Sequence, residues 1–162
     1  MEGGDYRDMI RITAAKNVAL DRREAEDAID AAAAHVRARF AAPQKHQIYS
    51  DKRAEAIRYL DQVQSGNPVD LSGFPYLAAE TGLTADTPID LAELWLWMDS
   101  VWKGAAAAIE QIALSAKAEV RASRDRATIQ AIVTATAETL DAIGEKPPER
   151  PKPILSGHPG RL

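Results

Sequence analysis

The chain has 162 residues, 46% hydrophobic but only 6% aromatic, with no cysteine and a formal net charge of −4. The lack of cysteine removes disulfides, thiolate metal sites and cysteine nucleophiles, and the net acidity argues against a duplex-binding module, which needs a clustered basic surface. Much of the apolar fraction is alanine, which buries little area per residue, so the composition suits long helices packed closely, or helices completed by a partner.

The opening residues, "MEGGDYRDMI", are charged and carry no apolar core of a signal peptide, so none is expected. No run of about 18 apolar residues occurs, so no membrane-spanning segment is expected either. The stretch "DMIRIT" alternates like a short strand, whereas "TAAKNVAL" reads as helix. Helix is preferred for 1–20, because no turn residue separates it from the helix that follows.

From Asp21 the helical pattern is clear: Ala25, Ile29, Ala32, Val36 and Phe40 recur at spacings of three and four, with charged residues on the other faces. Pro43 interrupts it, since the residue before proline avoids helical angles. A second helix is expected from Pro43 or Ser50 to Ser65, with Tyr49, Arg53, Ala56, Leu60 and Val63 on one face and Gly66 as its C-terminal cap. The loop "GNPVDLSGF" leads to a short helix, "PYLAAETG", opened by Pro75 and stopped by Gly82.

In "TPIDLAELW", Thr87 is an N-cap, Pro88 takes the first helical position and Asp90 stands three after the cap, which makes a capping box. The helix then runs to about Ser123. All three tryptophans, Trp95, Trp97 and Trp102, fall within eight residues of it. On a helical wheel Leu91, Trp95, Met98, Trp102 and Ile109 align, with Leu94, Val101, Ala105 and Ile112 beside them and Trp97 at the far edge. The apolar arc is roughly 160° wide, against roughly 100° for an ordinary surface helix, so two neighbours are expected. Asp99, Lys103, Glu110 and Lys117 take the opposite face, and Leu96 is stranded among them. Trp95 and Trp102 read as core; Trp97 reads either as core or as the edge of a partner surface, and Leu96 as part of such a surface. The small-residue runs 104–108 and 31–34 would let helices approach closely, either to each other or to copies in an oligomer.

"RASRDRAT" breaks the periodicity before Ile129. It is either a tight turn or a solvated stretch of one continuous helix, and the turn is preferred. Ile129, Ile132, Val133, Leu140 and Ile143 then mark a final helix that stops at Gly144. The remainder, "EKPPERPKPILSGHPGRL", holds five of the nine prolines. It is expected to be extended and polyproline-like, an arm able to lie along another subunit.

The fold expected is therefore all-α: long alanine-rich helices in an elongated hairpin or bundle, with a short helix at one end and an extended Pro-rich tail. Residues 1–20 form an N-terminal segment, 21–145 the helical domain and 146–162 the arm. His35, His46 and His158 lack metal-ligand spacing, and no nucleophile elbow, P-loop, dinucleotide fingerprint or zinc-protease motif occurs. No catalytic residue, cofactor or metal is expected. The candidate partner interface comprises Leu96 and Trp97, the basic Arg121, Arg124 and Arg126, and the arm residues Pro147, Pro148, Pro151, Pro153, Ile154 and Leu155.

Three stretches carry a resemblance: "ARFAAPQKHQIYSDKRAEAIRYL", "FPYLAAETGLTADTPIDLAELW" and "WKGAAAAIEQIALSAKAEVRAS". Together, over about residues 38–123, they resemble a helical region that recurs in small proteins and tail-fibre proteins of proteobacterial phages and prophages. The likeness lies in a Tyr-led helix with K-x-x-E-A, an aromatic/proline pair before L-A-A-E, a Thr-capped helix, and a tryptophan before a small-residue run. The proline tail departs from that pattern. The resemblance implies a virion tail, tail-fibre or baseplate component, homo-oligomeric, partnered by other tail proteins and by neither nucleic acid nor membrane. Two alternatives stand beside it: a fibre-assembly chaperone, and a small cytoplasmic helical protein that binds a ligand beside Trp95 or Trp102.

Overall fold

The computed structural model describes residues 5–40, 46–66 and 68–143, with side chains from Asn17 onward except that of His46. It is mostly helical and contains no strand among those residues. Five α-helices follow in order: α1 (Asp5–Phe40), α2 (His46–Gln64), α3 (Pro75–Glu80), α4 (Pro88–Ala122) and α5 (Arg126–Asp141), with a 3-10 turn at Leu71–Gly73. "DMIRIT" belongs to α1, which runs unbroken to Phe40. The Pro43 break, the Gly144 stop and the arm from 146 lie outside the described residues.

Contacts divide the chain into two compact units, and α4 contributes to both. The first unit takes its described residues from 5–40 and 105–143. Its core is Ala25, Ile29, Ala33 and Val36 of α1, Ile109, Ala113, Ala116 and Val120 of α4, and Ile129 and Leu140 of α5. Four of these ten are alanines, so little side-chain bulk separates the helices. α1 and α5 accordingly bring Cα atoms within 8 Å of each other, with Ala25 and Ala28 beside Ile129 and Val133. The expected faces are close to those observed, although Ala33 rather than Ala32 is the buried alanine of its turn.

Ion pairs fix how these helices run. Arg37 meets Glu110, Asp30 meets Lys117, and Glu26 meets Arg121. Seven and then four steps back along α1 match seven and then four steps forward along α4, so the two are antiparallel. A slip of one heptad would oppose Arg37 to Lys117, or Asp30 to Glu110. Exposed pairs add little stability, but like charges facing each other disfavour the wrong register. α5 runs parallel to α1, with Arg39 paired to Asp141 at one end and Arg126 3.7 Å from Asp21 at the other.

The α4–α5 connection is a turn. Asp125 adopts extended angles and caps α5, accepting from the Thr128 N–H at 2.9 Å and the Thr128 hydroxyl at 2.8 Å. Arg22 donates through Nε to the Ser123 carbonyl at 3.1 Å, which satisfies an oxygen the end of α4 leaves open.

The second unit takes its described residues from 46–104. Ala56, Tyr59, Phe74, Leu77, Leu91, Ala92 and Trp95 form its core, with Tyr59 and Phe74 edge to face at 5.4 Å. α2 is followed, two residues after Gln64, by Gly66, whose φ of +77° suits glycine. α3 opens on Pro75 but has no capping side chain at Phe74. Its need is met from α2: the buried Glu55 carboxylate accepts the Leu77 N–H at 2.6 Å. The N-cap of α4 is as expected, with the Thr87 hydroxyl accepting from the Asp90 N–H at 3.1 Å and donating to its carboxylate at 2.8 Å.

Several expectations for α4 are corrected. Asp99 does not face away from its neighbours: Oδ2 accepts Arg53 Nε of α2 at 2.8 Å. Leu96 is not stranded outside, because it is half-buried against the second core. Leu91 and Trp95 of the expected stripe are buried, but the covered face extends from them to Ala92, with Ile89 and Leu96 at its flank, rather than to Met98 and Trp102. Trp102 is half-buried and lies outside the core. Within the chain, the start of the 104–108 run is not a close-approach seam: Gly104, Ala106 and Ala107 are exposed, and nothing lies within 4 Å of where a Gly104 Cβ would stand.

Candidate functional site

A concavity in the second unit gathers two of the three tryptophans that the sequence singled out, Trp95 and Trp102. Tyr49 and Lys52 come from α2, Glu80 and Thr84 from the end of α3 and its turn, and Leu94, Trp95, Met98, Asp99 and Trp102 from α4. Tyr49, Lys52 and Arg53 share one side of α2, while Trp95, Met98 and Trp102 recur at spacings of three and four, so two helix faces build most of the walls. Trp102 meets the Tyr49 ring edge-on at 4.6 Å. This contact fixes both rings, since aromatic pairs favour such geometry.

Charge surrounds the apolar walls. The Lys52 ammonium lies 5.2 Å from the Trp95 ring centroid and pairs with Glu80. Its side chain is only 15% exposed, so the cation is held by a ring face and a carboxylate together. Asp99 accepts from Arg53 and, at 2.7 Å, from Lys103 one helical turn on. The cavity holds about 150 Å³, below the several hundred of a drug-sized ligand site. It suits a single ring or one branched side chain.

A second concavity belongs to the first unit. It is an open groove between α4 and α5, with Ile112, Ala116, Ile132 and Thr136 along it and Ala108, Ser115, Ala131 and Ala135 among its small flanking residues. Thr136 turns its hydroxyl back to the Ile132 carbonyl at 2.7 Å.

The residues expected at a partner surface, where described, divide between the two units. Trp97 is half-buried on α4 and Leu96 flanks the second core. Arg121 is exposed but gives Nε and Nη2 to Glu26 at 2.9 and 2.8 Å. That bidentate contact holds the Glu26 carboxyl below its usual range and raises Arg121. Arg126 faces Asp21, and Arg124 is exposed in the α4–α5 turn. Pro147, Pro148, Pro151, Pro153, Ile154 and Leu155 lie outside the described residues. Lys52, Glu80 and Tyr49 were not expected at a site; their signal was the pairing of a Tyr-x-x-Lys face with the tryptophan helix, which requires knowing that α2 packs on α4.

No family model, curated protein or solved structure matches this chain. Among the described residues, no group of three or more His, Cys, Asp or Glu could hold a metal ion, and no helix is long and apolar enough to cross a membrane.

Proposed function

We propose that this protein is a structural component of a phage tail, at the fibre or baseplate, which assembles by helix packing and carries out no chemistry of its own. The phage assignment rests on the resemblance over residues 38–123. The observation that carries the packing role is the α4–α5 groove. Its small flanking residues allow a further helix to approach, and its half-buried Ile112 and Ile132 offer that helix apolar surface. In this reading the chain is a helical bundle that forms homo-oligomers and contacts other tail proteins, with the virion as its final location.

The deciding experiment is the protein composition of purified particles. Stoichiometric presence supports the reading. Absence from particles overturns it, and recovery bound to a fibre protein only during assembly would make the chain a chaperone.

A second reading, a small-ligand binder, draws on the cavity beside Trp95 and Trp102. Its volume limits the ligand to a group no larger than a single ring. A screen of small aromatic compounds by tryptophan fluorescence tests it; no saturable change at millimolar concentration would exclude it.

A further inference from the structure

The turn between α3 and α4 carries a leucine that is 85% exposed, Leu83. A lone exposed leucine is ordinary, but the setting of this one is not. Its turn is tightly held: Gly82, at a φ of +83°, donates to the Ala85 carbonyl at 2.8 Å, and the Leu83 and Thr84 N–H groups both reach the Glu80 carbonyl at 3.0 Å. The Thr81 hydroxyl adds a bond to the Leu77 carbonyl at 2.7 Å. Leu83 is thus an apolar knob on a fixed mount. Its neighbours on the mount, Glu80 and Thr84, line the aromatic cavity, so the knob stands at the rim of its own hole without filling it.

We propose that the chain self-associates here, Leu83 of each copy entering the Tyr49–Trp95–Trp102 cavity of the other. Size supports the fit: an apolar cavity of about 150 Å³ accommodates a six-carbon ring, and a leucine side chain has four carbons. Charge supports the same pairing. The turn presents the exposed Asp86, while Arg53 and Lys103 stand by the cavity with 43% and 61% of their side chains exposed. Each gives one bond to Asp99 and keeps further N–H groups for a second carboxylate. Because knob and hole share one rim, a single two-fold axis satisfies both, and the contact closes as a dimer rather than propagating. The contact is independent of the virion assignment, since a dimer in solution requires no particle.

Sedimentation of the full chain over a concentration series tests the proposal, with tryptophan emission read in parallel because Trp95 and Trp102 line the cavity. The wild type is expected to pass reversibly from 17.6 kDa to twice that mass, with a shift in emission. Leu83→Asp should raise the dissociation constant at least about tenfold while leaving the far-UV spectrum unchanged, since Leu83 is exposed. Asp86→Lys should also weaken the dimer, and combining it with Lys103→Asp should recover part of the loss. A wild type that stays at 17.6 kDa up to millimolar concentration overturns the proposal. So does a Leu83→Asp variant that dimerises like the wild type, or assembly that continues past two copies through this turn.

Discussion

Glu55 shows how one side chain can hold an element that lacks the means to hold itself. α3 has six residues, and helices that short do not persist alone. Its proline start removes one open N–H, and the Phe74 side chain offers no acceptor, so the Leu77 N–H depends on a carboxylate from α2. Glu55→Ala is expected to destabilise the second unit by about 1–3 kcal/mol, the range for a buried donor left unmet. Glu55→Gln, which keeps an acceptor, should lose less. Urea titration followed by tryptophan emission measures both, and equal losses in the two variants would refute the capping role. This residue was not legible in the sequence, where a glutamate within "KRAEAIRYL" reads as a solvated helix charge. Asp99 was misplaced for a related reason. A helical wheel ranks faces by apolarity alone, and it cannot tell that Arg53 of a separate helix will bring a carboxylate inward.

Elements were legible to the extent that their signals are local. The caps at Thr87 and Gly66, the proline start of α3 and the break before α5 are written in neighbouring residues, and each stands where those residues put it, within a residue or two. The buried faces were legible less well where alanines adjoin: within Ala31–Ala34 side-chain size gives no contrast around the helix, and Ala33 rather than Ala32 is the buried one. The Thr87 cap supplies a quantitative check: Thr87→Ala is expected to cost about 1 kcal/mol, read as a lowered urea midpoint with an unchanged slope. No change in midpoint would mean that the start of α4 is held by packing alone.

The helix ends and seams also set the response to acid. Hydrogen bonding from Arg121 holds the Glu26 carboxyl low; the Thr128 backbone N–H and hydroxyl hold Asp125 low; and Ser72, by its hydroxyl and N–H, does the same to Asp70. A carboxyl whose folded value lies below its unfolded value stabilises the fold above the unfolded value, near pH 4, and that contribution is lost as pH falls through the folded one. The melting temperature is therefore expected to hold steady from pH 7 to about pH 5 and to fall below about pH 4. Glu26→Gln should reduce that fall. A melting temperature that stays level down to pH 3 would contradict the assignment. At the alkaline end, burial pushes the Tyr59 phenol up, so the second unit should lose stability as pH rises past the usual tyrosine value near 10.

At the scale of the whole molecule, a single core was the natural expectation for 162 residues, and sequence periodicity cannot reveal that a continuous helix serves two. α4 places Leu91, Ala92 and Trp95 in one core and Ile109, Ala113, Ala116 and Val120 in another, and the two share no residue. The cores also differ in kind. The first rests on alanines and aliphatic residues, the second on Tyr59, Phe74 and Trp95. Nothing in this division requires both to melt together, and the chain carries a built-in reporter of the difference: all three tryptophans lie in the second unit. Tryptophan emission should thus follow the second unit alone, while far-UV circular dichroism follows both. The two probes are expected to give separate midpoints in urea, which is the standard sign of departure from two-state unfolding. Core truncations should act on one unit at a time. Ile29→Ala, at a fully buried position of the first core, should lower the dichroism transition by about 2–5 kcal/mol and leave the emission midpoint in place. Leu91→Ala should do the reverse. If instead the probes coincide and either truncation moves both equally, α4 transmits stability from one core to the other, and the two units unfold as one.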